Sequence, residues 1–229
     1  MQAAALAEVA GRRSRTYWLL SRLVGESPDA ALLGELAKAL PEVQSGADAP
    51  LGMETDALVD AVAGLGSESA AMTELMVDWT RLFGALGERH GAPAPYESVA
   101  RKLTLPGESA AAVAAIYAAA ALDPARPGDG PADSLATELR FLALACYEEM
   151  QAWLADDRAT AGQWIETERQ FLDDHVLQWV PQHCALLRTL AGTAFYAAVS
   201  ALVGQVCLID RDDVEELAGH AGAAVDTLR

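Results

Sequence analysis

The stretch PADSLATELRFLALACYEEMQAWLA, residues 131–155, contains both a helix start and a long run of helix-forming residues. Proline, aspartate and serine open it, and Ser134 stands three positions before Thr137 and four before Glu138, as at many helix N-termini. The positions that follow are mainly alanine, leucine and glutamate, which have high helix propensity. The stretch therefore predicts one helix over roughly 133–156.

The same helical period and composition continue along nearly the whole chain of 229 residues, while alternating runs of β-branched residues are missing. The predicted fold class is therefore all-α, a helical bundle of about ten helices with a Pro/Gly-rich hinge near the middle. Besides the helix above, we expect helices at roughly 2–24, 28–40, 53–65, 68–86, 108–121, 160–180, 182–191 and 193–207, with a last one from about 212.

The segment LDPARPGDGPAD, residues 122–133, is the one least able to form a helix, because it combines three prolines with two glycines. It predicts a hinge loop at 122–132, between an N-terminal helical part at 1–121 and a C-terminal helical part at 133–229. We expect the two parts to pack as one compact body. Such a hinge could also permit helix exchange between two chains, so a monomer and a homodimer both stay open.

The charge of the chain limits its partners. Sixteen Lys and Arg residues against 33 Asp and Glu residues give a formal net charge of −17. Such a surface repels phosphate and anionic lipid, so we expect no nucleic-acid partner. It attracts a basic peptide, because opposite charge steers encounter. The arginines near the start are interpreted as the polar face of a helix; they are Arg12, Arg13, Arg15 and Arg22.

The cysteines and the apolar runs indicate the compartment. Cys146, Cys184 and Cys207 are widely spaced and form no C-x-x-C motif, which predicts buried thiols in a reducing compartment. The N-terminal sequence lacks the order of a secretory signal, because its Ala-rich run precedes the arginines. We also see no apolar run approaching the ~20 residues of a membrane span. These observations favour a cytoplasmic protein without membrane insertion.

His175, within FLDDHVLQWVPQ at 171–182, is a candidate catalytic residue. A histidine beside an aspartate could be a general base with its orienting group, but no G-x-S-x-G or similar nucleophile motif accompanies it. His175 lies on the apolar side of its helix, near Phe171 and Trp179. A half-buried histidine that hydrogen-bonds to a neighbouring loop is therefore the favoured interpretation.

A metal or cofactor site has equally weak support. His175, His183 and Cys184 include suitable ligand types, but the i,i+4 pair of helical metal sites is absent and Pro181 interrupts the helix between the histidines. No Glu-x-x-His pair of the helical di-iron bundles occurs, and neither does a P-loop or a G-x-G-x-x-G motif. We therefore expect no metal and no cofactor.

A peptide-binding groove is favoured by VDWTRLFGALGERHGAPAPYESVARK, residues 77–102. Apolar residues at spacings of three and four end a helix there, and a proline-punctuated loop follows. Core packing explains each aromatic residue taken singly, but the combination can form a preorganised, partly polar groove. The residues concerned are Trp79, Leu82 and Phe83 on the helix and Pro93, Pro95, Tyr96, Glu97 and Ser98 in the loop.

Three motifs in this order resemble the TorD/DmsD-type chaperones of molybdenum oxidoreductases, also called redox enzyme maturation proteins. The stretch DWTRLFGALGERHGAPAPYESVA is similar to an aromatic-x-x-Leu-Phe helix followed by a Pro-rich loop, with Gly107 near the family's next glycine. PADSLATELRFLALA resembles the family's hinge-to-helix signature, although Ser134 replaces its usual His or Asn. FLDDHVLQWVPQ is similar to Phe-x-x-x-His-Leu-x-x-Trp-x-Pro, with Val176 in the Leu position.

The resemblance implies a cytoplasmic chaperone, not an enzyme. It would bind the apo catalytic subunit of a molybdopterin oxidoreductase, and its N-terminal twin-arginine leader, until cofactor insertion and folding are complete. We expect the apolar part of the client to meet Trp79, Leu82, Phe83, Pro95 and Tyr96, and its arginines to meet Glu97 and Asp133. Glu138 either meets these arginines as well or caps its own helix. The expected client-binding set also includes Ser98, Gly107, Ser134, His175 and Trp179.

Two other functions remain open from the sequence. The first is a small helical enzyme that uses His175 with a neighbouring aspartate. The second is a structural or oligomeric module whose acidic surface only maintains solubility.

Overall fold

The computed structural model describes residues 3–44, 51–65, 69–84, 92–102, 107–126 and 130–226. Within these ranges the chain forms ten α-helices and one short 3-10 helix, which confirms the predicted all-α fold. The helices are α1 Ala3–Gly25, α2 Ala30–Gln44, α3 Gly52–Gly64, α4 Ser69–Leu82, α5 Glu97–Ala100, α6 Glu108–Ala119, α7 Leu135–Leu154, α8 Arg158–Asp174, α9 Val180–Leu190 and α10 Ala194–Asp226, with the 3-10 helix Val176–Gln178 between α8 and α9. The four-residue α5 lies where the sequence predicted only a loop.

Helix α7 lies at the centre of the bundle. Its first nine residues, 135–143, are all buried, which is the behaviour of a helix surrounded by neighbours on every side. The predicted N-terminal signal is confirmed, because the Ser134 hydroxyl accepts a hydrogen bond from the Thr137 amide at 3.3 Å. Helix α1 packs along α7, and the Ser14 hydroxyl donates to the Ala143 carbonyl at 2.8 Å.

A buried ionic group, the Arg13 cluster, joins α1 to three other helices. It consists of Arg13 with Glu149 of α7, Glu168 of α8 and Asp210 of α10, at nitrogen–oxygen distances of 2.8, 2.5 and 2.5 Å. The Tyr17 hydroxyl donates to Asp210 at 2.7 Å. The sequence predicted that Arg13 lies on the polar face of its helix, and this is wrong. Arg13 is buried, because its guanidinium is the cation that these acidic side chains require in the core.

Helix α10 is continuous where the sequence predicted two helices with a break between 207 and 212. The aspartates near residue 212 were interpreted as a helix start, but Asp210 points into the Arg13 cluster and Asp212 and Asp213 are exposed on the helix surface. None of them caps a new helix. The actual start of α10 is held by Asp78 of α4, whose carboxylate accepts from the Gly192 and Thr193 amides at 3.0 and 2.9 Å.

One segment of α10, Ala194–Gly219, is long and apolar enough to cross a membrane by length and composition alone. This corrects the expectation that no stretch of the chain reaches that length. Most of the segment is buried inside the bundle, as in the core helix of a soluble protein. Val199, Val203 and Cys207 on its inner face are fully buried, so the other helices already cover its apolar side.

The predicted helix at 160–180 ends early, at Asp174. The backbone leaves the helical conformation at His175, a 3-10 turn follows, and α9 begins at Val180. Pro181 therefore occupies the first turn of α9, where a missing N–H costs little, instead of interrupting a helix. This sharp corner places His175 at the end of α8, facing the loop that leads into α5.

The described part of the hinge segment packs against the bundle. The Arg140 side chain donates to the Pro124 carbonyl at 2.6 Å, and the Tyr117 hydroxyl donates to the Ala132 carbonyl at 3.1 Å. Residues 127–129 lie outside the described residues. The division of the chain into parts at 1–121 and 133–229, joined by a hinge, stays a prediction. The predicted burial of the cysteines is confirmed, since Cys146, Cys184 and Cys207 are all buried and free.

Candidate functional site

Two segments from different sequence motifs pair at the end of α7. Tyr96 and Ser134 form an antiparallel bridge, the Leu135 amide donates to the Pro95 carbonyl at 2.9 Å, and the Glu97 amide donates to the Asp133 carbonyl at 2.9 Å. We call residues 95–98 and 133–138 together the junction. It brings together seven of the predicted site residues, which are Pro95, Tyr96, Glu97, Ser98, Asp133, Ser134 and Glu138.

Asp133 fixes the start of α5. One of its carboxylate oxygens accepts from the Ser98 amide at 2.9 Å, as an N-cap side chain does. The other oxygen, Oδ1, is buried and has no hydrogen-bond partner among the described residues. The residue is fully buried, so a client arginine could reach this carboxylate only if the junction opened.

Glu97 is the most heavily hydrogen-bonded carboxylate of the site. It accepts from the Arg101 guanidinium and the Ser109 hydroxyl, and it lies 3.1 Å from Nδ1 of His175. Burial by itself would raise the pKa of Glu97, but hydrogen bonds from His175, Ser109 and Arg101 outweigh burial and hold that pKa below its usual range. Glu97 is therefore ionised and ties α5 to the start of α6 and the end of α8.

Glu138 lies deeper and makes a single contact to a predicted site residue. The indole N–H of Trp179 donates to its Oε2 at 3.0 Å, while Oε1 has no partner among the described residues. Burial, followed by the negative charge of Glu97, raises the pKa of Glu138 well above its usual value. The neutral carboxylic acid is therefore the favoured form, in contrast to the ionised Glu97.

Two glycines of the predicted hinge and site regions adopt left-handed backbone conformations, and one of them faces Tyr96. Tyr96 is half-buried, and its hydroxyl faces Gly130, where an added Cβ would lie 3.3 Å from that oxygen. Gly130 has a φ of 82°, which a side chain rarely adopts. Gly107, with a φ of 83°, is exposed at the N-cap of α6 and acts through its backbone conformation.

His175 pairs with Glu97 and not with a neighbouring aspartate, which corrects the arrangement required by the enzyme hypothesis. Asp173 instead binds the guanidinium groups of Arg169, at 3.2 Å, and Arg211. The His175 ring stacks on Phe171 with 5.3 Å between ring centroids. Across the described ranges, no group of three or more His, Cys, Asp or Glu side chains is arranged to hold a metal ion.

The helical part of the predicted site lies apart from the junction, at the end of α4. Leu82 is fully buried, Phe83 is 9% exposed with its ring 5.7 Å from that of Tyr196, and the Trp79 indole donates to the Val24 carbonyl at 3.1 Å. In the part of the chain that the structure describes, no hydrogen bond or ring contact links these three residues to the junction. Direct contact of Leu82 with a client would require this helix end to open.

Two residues of the site were missed by sequence reasoning. Arg101, four residues after Glu97, could have been found from its i,i+4 spacing. Ser109 could not, because its contact with Glu97 depends on how α6 folds back on α5. The accessible polar edge of the site is therefore formed by Tyr96, Ser98 and His175, around carboxylates that are buried.

Comparison with known proteins identifies the family of the chain. The family model described as "Nitrate reductase delta subunit" matches residues 44–185, which include the whole junction. The chain is also 28% identical over 206 residues to "Chaperone protein TorD" of Vibrio atlanticus (strain LGP32), an alignment that covers 87% of this chain and 93% of that protein. The chain thus belongs to the TorD/DmsD-type family of system-specific molybdoenzyme chaperones.

Proposed function

We propose that this chain is a cytoplasmic chaperone that binds the apo catalytic subunit of one molybdopterin oxidoreductase. Where that client carries an N-terminal twin-arginine leader, the chaperone binds the leader as well and delays export until the cofactor is inserted. The family assignment implies a molybdoenzyme subunit as the partner and a protein that is not an enzyme.

The observation that carries this proposal is the junction. Its two segments are held together by backbone hydrogen bonds, so the half-buried side chains of Tyr96 and Ser98 have fixed positions before any client arrives. A preorganised edge loses little conformational entropy on binding a flexible peptide. The half-buried side chains of Pro93 and Ala94 and the ring of Tyr96 offer an apolar contact beside polar groups.

Charge supports the same partner. A leader with adjacent arginines is attracted to a chain of net charge −17, and this attraction weakens as salt screens it. The carboxylates of the junction contribute unequally, since Glu97 favours its ionised form and Glu138 its neutral form. We therefore propose that Glu97 and Asp133 supply the negative potential at this edge, and that Glu138 supports the fold through Trp179.

The first test is capture from the native cell with this protein as bait, repeated at high salt. We expect one large molybdopterin-type catalytic subunit, whose recovery salt reduces without abolishing it. Failure to recover any such subunit, from cells known to express one, would refute the proposed function.

The second test locates the contact on the chaperone. Tyr96→Ala should reduce recovery of the client about tenfold, whereas Tyr96→Phe, which retains the ring, should stay within about threefold of the wild type. Both variants should show unchanged circular dichroism and melting, because the Tyr96 side chain is only half-buried. Equal recovery by Tyr96→Ala and the wild type would exclude this edge as the client contact, even though the family assignment would stand.

A further inference from the structure

A second surface of the molecule has the form of a binding groove. Helices α1, α2 and α7 enclose an open cavity of about 500 Å³. Its walls are mainly apolar, and we call it the α1/α2/α7 groove. The residues that define it are Trp18, Leu19, Ala39, Ala143, Leu144 and Tyr147.

The shape of the groove follows from large side chains at its edges and small ones at its base. Trp18 and Tyr147 are 38% and 46% exposed, although their rings could bury large apolar areas. Ala39 and Ala143 leave space between the helices. Each helix contributes residues three or four positions apart, so the groove extends along the helices for at least one turn, about 5 Å.

The two ends of the groove differ in charge. Arg15 lies at one end, and within the described ranges its guanidinium has neither an ion-pair nor a hydrogen-bond partner. The Tyr147 hydroxyl likewise has no partner in those ranges. Glu35 lies at the other end, where it pairs with Arg22. Arg22 also pairs with Glu26, which pairs with Arg126 beside the Trp18 ring, so two cations and two carboxylates balance at this end. Arg15 and Arg22 are seven residues apart on α1, which separates the two ends by about 10 Å.

We propose that the groove binds the apolar segment of the client's leader as a short helix, an inference that rests on the proposed function. An amphipathic or apolar helix lying between helices is a common mode of peptide recognition. The α1/α2/α7 groove supplies exposed apolar area that Leu82 and Phe83, buried in the core, do not supply.

Charge complementarity sets the direction of the bound helix. The last carbonyl groups of a helix are acceptors at the negative end of its dipole, and they match the free donors of Arg15 and Tyr147. The arginines that precede the apolar segment then lie at the opposite end, where Glu35 is about half exposed and its other carboxylate oxygen has no partner among the described residues. The reverse direction would bring like charges together at Arg15.

The probe for this test is a labelled synthetic peptide with two adjacent arginines, a run of leucine and alanine, and an amidated C-terminus. Its affinity is measured by fluorescence anisotropy with the full chain. Tyr147→Glu should weaken binding about tenfold or more, because it places a charge in the apolar wall. The matched control is Leu154→Glu on the same helix; Leu154 is 63% exposed, lies outside the groove, and should leave the affinity unchanged.

The direction of the bound helix is tested by a second pair of variants. Arg15→Glu and Arg12→Glu change the net charge equally and lie one turn apart on α1, but only Arg15 lines the groove. We expect Arg15→Glu to weaken binding about threefold or more relative to Arg12→Glu. Equal affinities for this pair would refute the proposed direction.

Several outcomes would overturn the groove itself. One is equal affinity of Tyr147→Glu and Leu154→Glu, or, should Tyr147→Glu not fold, of Tyr147→Ala and Leu154→Ala. Another concerns the oligomeric state, measured by sedimentation equilibrium. If the wild type is a dimer and Tyr147→Glu is a monomer with unchanged peptide affinity, the groove is a contact between two copies of the chain. A third outcome separates the two proposals. If groove variants capture the client as well as the wild type does, while Tyr96→Ala does not capture it, the groove is not a binding site and the proposed function stands.

Discussion

The Arg13 cluster and the junction each bury three acidic side chains, but the partners of these side chains differ. In the Arg13 cluster a single guanidinium contacts all three acids, which come from three helices. Among the described residues of the junction, Glu97 forms an ion pair with the partly exposed Arg101 at the edge, and Nδ1 of His175 lies 3.1 Å from the same carboxylate. The first arrangement closes the core around α1, whereas the second leaves a polar edge at the surface.

The two groups also differ in their unsatisfied atoms. In the Arg13 cluster, one oxygen of Glu168 lacks a hydrogen-bond partner among the described residues; in the junction, Asp133 and Glu138 each have such an oxygen. Unsatisfied buried oxygens cost stability unless a proton or a partner compensates them. Of the two groups, the Arg13 cluster is therefore the better satisfied, with one such oxygen against two in the junction.

The largest effect is expected from Arg13→Met. Removing the guanidinium takes away the cation and hydrogen-bond donor that three buried acidic side chains share, so the free energy of unfolding at pH 7 should fall by about 3–5 kcal/mol. Urea denaturation followed by circular dichroism measures this change. Arg12→Met, on the exposed side of the same helix, is the control and should change stability by less than about 0.5 kcal/mol. Similar losses in both variants would show that the cluster does not hold the core.

A smaller effect, with a defined pH range, is expected from Glu168→Gln. The pKa of Glu168 is raised to about 8: burial is the largest cause, Arg13 opposes it, and Glu149 and Asp210 add to it. The folded protein therefore retains a proton that the unfolded chain releases near pH 4.5, and stability should fall as pH rises from there to about 8. In Glu168→Gln, the free energy of unfolding should fall by roughly 1–3 kcal/mol less over this pH range than it does in the wild type. Urea denaturation at a series of pH values measures it, and parallel profiles for the two proteins would contradict this assignment.

Glu97→Gln should show the opposite pH dependence. Burial raises the pKa of Glu97, but its hydrogen bonds hold that pKa below its usual range, so the ionised form stabilises the fold. This stabilisation is present above the unfolded pKa, near pH 4.5, and is lost as pH falls through the folded pKa. At pH 7 the free energy of unfolding of the variant should be about 1–2 kcal/mol lower than that of the wild type. On acidification, the free energy of unfolding should fall less in the variant than in the wild type. Denaturant titrations of both proteins at pH 7 and below pH 4 measure this difference.

The smallest effect is expected from Glu138→Gln. Because burial favours the neutral acid at this position, an amide of nearly the same shape can still accept from the Trp179 indole. Stability at pH 7 should change by less than about 1 kcal/mol. A loss as large as that of Glu97→Gln would mean that Glu138 is ionised and that the two carboxylates do not differ as described.

Much of the fold follows from local patterns, and the exceptions have identifiable causes. Ser134 opens α7 as predicted, because an N-cap is a local interaction. Arg13 was misassigned by its charge, although Ala10, Tyr17 and Leu20 place it on a buried face at spacings of three, four and seven. The predicted break in α10 failed because Asp210 bonds to a residue far away in sequence.

The candidate site was predicted in its members but not in its arrangement. The motifs identified residues 95–98 and Asp133, yet no local pattern shows that their backbones pair. The α1/α2/α7 groove was not predicted from the sequence. Its residues come from 14–19, 35–39 and 143–147, and only the folded bundle brings these segments together. Resemblance to a family recovers residues with a shared motif, whereas a surface formed by three separate helices has no motif to match.

The Arg13 cluster also orders events during synthesis of the chain. Arg13 is made early, but its partner Asp210 lies 197 residues later in the sequence. A ribosome that adds on the order of 5–20 residues per second takes on the order of ten seconds or more between the two. Until α10 has emerged, Arg13 lacks its Asp210 partner, so the Arg13 cluster is completed only after residue 210 has been translated.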